Sequence, residues 1–433
     1  MAEKKFCASI YLYQGKAVKN RRDRAVISEE PEKLAVSYCD NYADEIVVFD
    51  LSETDAEHEE SLLIMKQIAT ASEVPVIGCG NVKRFEDIKK ILYTGCSRAA
   101  LNYSKDANVE LTEEVSKRFG KGKIAVCVKD ADEVKNASDK IKEYASLVIC
   151  VNAADEYDTD QVQDVVKASP VDVLLPMPDA VPGKLAELLS KDGIGGFFGP
   201  HINASIDSLM GIKSFCAEQG VEVNGFDAKL KFSDLKTDKD GLIPVVVQEY
   251  RTNQVLMVAY MNEEAFESTI KTGRMTYYSR SRQSQWVKGE TSGHFQYVKS
   301  LSADCDKDTL LAKVSQVGVA CHTGSYSCFF NEIVKKEYIN RDPHKVLEDV
   351  YGVIADRKAN PKEGSYTNYL FDKGIDKILK KVGEEATEII IAAKNPEKEE
   401  VKYEISDFLY HCMVLMVEKG VTWDEIMSDL ASR

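Results

Sequence analysis

The sequence predicts a chain of several domains: a closed parallel (β/α)8 barrel at the amino end, a strand-rich α+β domain in the middle, and an all-α unit at the carboxyl end. Three observations carry this. Across residues 1–224, eight short apolar runs alternate with amphipathic stretches. From Phe226 onward, β-branched runs are separated by turn signals instead. Beyond residue 346 nearly everything repeats its apolar residues at three and four. A length of 433 residues suits a multidomain chain.

The runs of the first segment are CASIYLY (7–13), EIVVFD (45–50), VPVIGCG (74–80), RAALNY (98–103), KIAVCVK (123–129), SLVICVN (146–152), VDVLLP (171–176) and GIGGFFG (193–199). Stretches such as EKLAVSYCDNY and FEDIKKILYTG lie between them with helical periodicity. Continuous apolar strands alternating with helices fit a parallel sheet covered on both faces, and eight of them close a barrel. An open doubly wound sheet is the alternative. In the middle segment DKDG and RTNQ are turn signals between alternating runs. INRDPHK at 339–345 reads as a linker. The tail reads as helix over GIDKILKKVGEEATEIIIAAK, a turn at NPEK, and helix over EEVKYEISDFLYHCMVLMVEKG with Gly420 as its C-cap. The expected domains are 1–224, 226–335 and 346–433.

Lys and Arg number 56 against 71 Asp and Glu, a net charge of −15. That excludes a dedicated nucleic-acid or anionic-membrane binder, while leaving room for metal cations and local phosphate pockets. The start, MAEKKFCASIYLY, has no apolar core of signal-peptide length, and no run approaches the roughly 18 apolar residues of a membrane span. A cytoplasmic protein without a membrane partner is expected. Eleven cysteines read as thiols or metal ligands rather than a disulfide framework. Cys7, Cys127 and Cys150 sit inside apolar runs and are expected in the core.

In ADCDKDTLLAKV a strand would put Asp304, Asp306 and Asp308 on one face and Cys305 on the other. Three carboxylates on one face suit a hard divalent cation; a solvated acidic turn is the alternative. Cys321 and Cys328 bracket His322 at zinc-ligand spacing. Three thiolates would leave zinc a fourth position for water, whose pKa it lowers from 15.7 to about 7. A structural site completed by His322 or His294 is the alternative.

The stretch TYYSRSRQSQWVKGETSGHFQ, followed by DCDKDTLL and ACHTGSYSC, resembles phosphoribosyl-AMP cyclohydrolase, a histidine-biosynthesis enzyme, over about 226–335. The resemblance implies Mg2+ at Asp304, Asp306 and Asp308, and Zn2+ at Cys305, Cys321 and Cys328, with the zinc site completed across a homodimer. It also implies phosphoribosyl-AMP as substrate: water adds at C6 of its adenine and the N1–C6 bond breaks. His322 or His294 would shuttle the proton. Arg280, Arg282, Trp286 and Lys288 are candidates for holding the substrate, the arginines through their bidentate fork. Lys307 departs from the glycine that the family commonly has there.

In the tail, GEEATE places Glu384, Glu385 and Glu388 on one side of a helix, and YEISD places Glu404 and Asp407 three apart. Like charges at that spacing cost only about 0.2–0.5 kcal/mol, so a solvated acidic face is tolerable. Glu385, however, lies between Val382 and Ile389, and Asp407 lies beside Phe408 and four residues before His411, next to the apolar stripe. A Mg2+ ion bridging the clusters would resolve the conflict. The pattern resembles the all-α nucleotide pyrophosphohydrolases, and SYTNYLFDKGIDKILKKVGEEATEIIIAAKN with YEISDFLYH resembles phosphoribosyl-ATP pyrophosphohydrolase over about 346–433. The resemblance implies that all five carboxylates hold Mg2+ on the triphosphate of phosphoribosyl-ATP and help activate water, Glu385 and Glu388 catalytically, so that pyrophosphate leaves. Lys380 and Lys381 would meet phosphate charge or remain solvated. The tail's product would be the middle domain's substrate. An alternative for the chain is a general nucleotide pyrophosphatase with a structural zinc module.

GKAVKN, EIVVFD and PVIGCGNVKRFEDIKKIL resemble the cyclase subunit of imidazole glycerol phosphate synthase. That family's two catalytic aspartate positions fall on Tyr11 and on or next to Lys129. A phenol and an ammonium cannot replace a carboxylate pair at neutral pH. The barrel is therefore expected to have lost cyclase activity and to scaffold, oligomerise or bind an effector; residual cyclase activity is the alternative.

Overall fold

A computed structural model describes residues 3–152, 157–336 and 345–431. They form two compact units, Met1–Glu332 and Ile333–Arg433.

All eight expected runs of the first segment are strands: β1 (Lys5–Tyr13), β4 (Glu45–Asp50), β5 (Val76–Cys79), β6 (Arg98–Asn102), β7 (Ile124–Val128), β8 (Leu147–Cys150), β9 (Val173–Pro176) and β10 (Ile194–Phe198). A short hairpin, β2 (Lys16–Val18) and β3 (Val26–Ser28), extends β1. Each barrel strand pairs in parallel with the next, and β10 returns to β1, Lys5 opposite Gly196, so the sheet closes. Helices between the strands cover the outside, as strands buried on both faces require. Local signals start several of them: Thr54 makes a capping box with Glu57, and Asp130 and Asp158 cap the helices that follow.

Inside the barrel, Tyr11, Val47, Phe49, Ile77, Cys79, Cys127, Ile149, Leu174 and Phe198 form one packed cluster. Cys7, Cys127 and Cys150 are buried as expected. All eleven cysteines are free thiols.

The middle region folds into the same compact unit. Its four-stranded sheet has the order β12 (Val255–Met261), β11 (Ile243–Glu249), β16 (Leu310–Gln316), β15 (Gln296–Ala303). Beside it lies the hairpin β13 (Thr276–Ser279) and β14 (Ser284–Val287). Burial alternates strictly along β11, one face toward a core of Val245, Val247, Leu256, Phe266, Tyr277 and Val314. Asn262 starts the helix Glu263–Thr272 and Gly273, at φ +72°, ends it.

The second unit is helical: Val346–Ala359, Tyr366–Lys373, Ile375–Ala392, Lys398–Lys419 and Trp423–Ala431. Its two long helices pack along each other around Ile354, Leu370, Ile378, Met413 and Val414. Gly420 is left-handed at φ +71°, the expected C-cap. The expected linker at 339–345 lies outside the described residues except for Lys345. Among the described residues no helix is long and apolar enough to cross a membrane.

Candidate active sites

The DCDKD segment is a turn, not a strand. β15 ends at Ala303, and residues 304–309 reverse the chain into β16. The expectation of Cys305 on the opposite face of a strand is thereby corrected, because an antiparallel pair needs the reversal there. Asp304 organises it: its carboxylate accepts from the amides of Asp308 (3.0 Å) and Thr309 (3.2 Å), as aspartates do in turns. Burial opposes charge on Asp304, but these amides hold its carboxyl below the usual range. The exposed carboxylates of Asp304, Asp306 and Asp308 still gather within 4.8 Å of one another. Lys307 sits at φ +63°, a left-handed position that glycine occupies without cost.

Cys321 and Cys328 lie on the loop after β16. Cys321 N donates to Ser325 O (3.1 Å), and Cys328 N donates to Leu256 O on β12 (2.8 Å), fixing both ends. The Thr323 hydroxyl, 3.1 Å from the Cys321 sulfur, together with the Thr323 amide, Cys328 and Lys288, pulls the Cys321 thiol down toward thiolate. Burial, then Cys321, pushes the Cys328 thiol up. Lys288 is buried beside this pair; desolvation lowers its ammonium while both sulfurs oppose that. The structure thus places Lys288 at the thiols. Cys305 stays exposed on the aspartate turn, and among the described residues it does not join Cys321 and Cys328 within 4.8 Å.

His322 is exposed, its Nδ1 4.0 Å from the Cys321 sulfur. His294 packs its ring on Gly318, where an added Cβ would come within 2.6 Å of Cδ2. Arg280 and Arg282 lie in the turn between β13 and β14. Arg280 covers the Tyr260 ring at 3.8 Å; Arg282 lies 6.0 Å from Trp286, which leans on Tyr277 at 5.0 Å.

In the helical unit, Glu385 is 4% exposed and gathers with Glu404 and Asp407 within 4.8 Å. Burial, then Glu388, Glu385 and Asp407, holds the Glu404 carboxyl above its ordinary range, so Glu388 borders the cluster. Glu384 lies outside it, about 100° around the helix from Glu385, and pairs with Lys380 (3.3 Å) and Lys381 (3.1 Å). The two lysines are therefore engaged rather than free. Lys381 also reaches Glu385 at 3.3 Å, and its acidic partners raise its ammonium. The sequence reading gave no role in the site to two groups: buried His411, whose Nδ1 lies 2.9 Å from Asp407 O, and Tyr366, whose hydroxyl lies 3.2 Å from His411 Nε2. Their pairing joins helices 45 residues apart.

At the barrel mouth Tyr11 is fully buried and stacks on Phe49 at 5.2 Å, while Lys129 pairs with Glu133 at 3.4 Å. In the GCGN loop the Asn81 amide turns back onto Asp50 (3.1 Å) and Ser52 Oγ (2.8 Å).

The family model of phosphoribosyl-AMP cyclohydrolase matches residues 257–330, that of phosphoribosyl-ATP pyrophosphohydrolase residues 347–433, and one described as histidine biosynthesis protein residues 6–169. The histidine biosynthesis bifunctional protein HisIE of Thermoanaerobacter pseudethanolicus is 54% identical over 45% of this chain and 97% of its own length. Those of Lactococcus lactis (53%; 45% of this chain, 90% of the relative) and Bacillus subtilis (50%; 46% and 95%) are similar. The chain therefore belongs to the family of histidine biosynthesis bifunctional proteins HisIE: it is an enzyme with phosphoribosyl-AMP cyclohydrolase and phosphoribosyl-ATP pyrophosphohydrolase domains, and in this chain a barrel precedes them.

Proposed function

We propose that the carboxyl-terminal domain, 346–433, converts phosphoribosyl-ATP to phosphoribosyl-AMP and pyrophosphate with Mg2+, and that the middle domain, 226–335, then opens the adenine ring in a zinc-dependent step. The observation that carries the reading is the carboxylate trio of buried Glu385 with half-buried Glu404 and Asp407. An all-oxygen, anionic donor set suits magnesium, and like-charge crowding on Glu404 is what a bound dication would relieve. Magnesium there would neutralise charge on the triphosphate. Glu388, beside Glu404, takes the proton of the attacking water as the bond between the α-phosphorus and the bridging oxygen breaks. His411 holds the Asp407 end of the site through its main-chain contact.

In the middle domain the donor chemistry of Cys321 and Cys328 suits zinc, but within one chain Cys305 does not join this pair within 4.8 Å. Cys305 of a second copy would supply the third, so the site is shared across a homodimer. Zinc there would make water nucleophilic near neutral pH. Water adds to C6, the electron pair of the N1–C6 bond goes to N1, and His294 or His322 carries the proton. Trp286 offers a flat surface to the base, and Arg280 and Arg282 offer charge to the phosphates. Asp304, Asp306 and Asp308 would hold a second Mg2+. The barrel, 1–224, is a scaffold without cyclase chemistry, and the enzyme works in the cytoplasm.

Mixing the Cys305→Ala and Cys321→Ala chains tests the shared site. Each alone should be inactive in ring opening, and mixed dimers should regain activity because one of their two sites is intact. No recovery after verified chain exchange would place all ligands in one chain.

A further inference from the structure

The barrel does more than sit beside the cyclohydrolase sheet. Asn41 and Tyr42, at the end of the helix Pro31–Asp40, reach into it. Tyr42 OH donates to Gly273 O (2.6 Å) and approaches Val298 O (3.0 Å). A Cβ at Gly273 would come within 2.2 Å of the Tyr42 ring, so no side chain fits there. Tyr42 itself is left-handed at φ +68°, a conformation that costs a non-glycine residue about 1–2 kcal/mol. The fully buried Lys213 holds that geometry by donating to Tyr42 O (2.6 Å) and Asp44 Oδ1 (2.5 Å).

Next to Gly273 stands Arg274. Its Nη2 donates to two barrel acceptors, Asn41 Oδ1 (2.9 Å) and Asp207 Oδ1 (2.6 Å). Its guanidinium carbon lies 4.7 Å from the ring centre of Phe295 and 5.6 Å from that of Tyr297. Asn41 Nδ2 also donates to the Tyr297 hydroxyl (3.2 Å). Phe295 directly follows His294, and its carbonyl accepts from Val317 N (3.0 Å), one residue before the Gly318 on which His294 packs. A cation held by the barrel thus lies over the ring of the residue next to His294.

We propose that Asn41 and Asp207 of the barrel are positioning residues for ring opening, acting through Arg274 on the segment that carries His294. The proposal rests on the cyclohydrolase reading above. Neither barrel residue touches substrate; both set where the imidazole stands. A displacement of about 1 Å at a reacting group can cost on the order of 100-fold in rate.

Asp207 is the cleaner handle, because its side chain is 79% exposed and its replacement spares the core. Asp207→Arg in the full chain sets a cation against Arg274, whereas Asp207→Asn keeps an acceptor for it. With phosphoribosyl-AMP as substrate, Asp207→Arg is expected to lower the kcat of ring opening about tenfold with KM unchanged within about twofold. Pyrophosphate release by the same chain should stay at the wild-type rate, and Asp207→Asn should keep the wild-type kcat within about twofold. A kcat of Asp207→Arg near wild type, an effect on KM alone, or an equal fall in pyrophosphate release would overturn the proposal. Failure of the wild-type chain to open the ring would instead remove the cyclohydrolase reading.

Discussion

Replacing Glu385 by glutamine removes one of three facing carboxylates while keeping its size. Glu385 is 4% exposed, has Lys381 Nζ at 3.3 Å and His411 Nδ1 at 3.7 Å, and shares its cluster with Glu404 and Asp407. Magnesium bound there at a hundredfold excess over its dissociation constant should stabilise the wild-type unit by about 2.7 kcal/mol. For the roughly 100 residues of Ile333–Arg433, each kcal/mol moves the melting temperature by about 4–8 °C, so the wild-type shift is roughly 10–20 °C. Losing a direct ligand costs at least the 10–100-fold typical of outer contacts; at about 100-fold the remaining gain is RT ln 2, about 0.4 kcal/mol and roughly 2–3 °C. Calorimetry of the full chain with magnesium and with a chelator reads both shifts. Without metal, Glu385→Gln should melt no lower than wild type, since it relieves crowding on Glu404. Equal magnesium shifts in both proteins, or none in the wild type, would refute the reasoning.

Asp40 is 7% exposed and burial holds its carboxyl above 3.8 despite Ser315 and Lys299. The folded chain then keeps that proton more tightly than the unfolded one, so stability falls as pH rises from 3.8 through the raised value. Asp40→Asn should raise the melting temperature of the first unit at neutral pH, and the gain should shrink as pH approaches about 4. Lys213→Met leaves buried Asp44 without its cation and should cost about 3–5 kcal/mol in urea unfolding, partly recovered by adding Asp44→Leu. Lys307→Gly, at φ +63°, trades relief of strain against unfolded-state entropy and should change stability by less than about 1 kcal/mol. It should also tighten Mn2+ binding at the aspartate turn, read by titration, by removing a cation among three carboxylates.

The barrel was legible because each strand is a continuous apolar run that neither a helix nor a loop would explain, and EIVVFD is buried at all six positions. The aspartate turn was misread because alternation of residue types looks the same in a strand and in a reversal. The signal that distinguishes them was present: no apolar side chain longer than cysteine stands between Ala303 and Leu310, too long a gap for a strand with one buried face. Tyr366 with His411, and Glu384 turned from Glu385, depend on how helices rotate against each other, which spacing along one helix does not encode. The joint between barrel and sheet was beyond reach for the same reason, since Tyr42 and Gly273 meet across 231 positions of sequence.

The most direct test of the bifunctional account is to give phosphoribosyl-ATP to the purified wild-type chain and to Cys321→Ala, and to follow pyrophosphate and the ring-opened ribotide together. The wild type should release pyrophosphate and go on to the ring-opened product, while Cys321→Ala should release pyrophosphate at the same rate and stop at phosphoribosyl-AMP. Ring-opened product from Cys321→Ala at the wild-type rate, or none from the wild type, would contradict it.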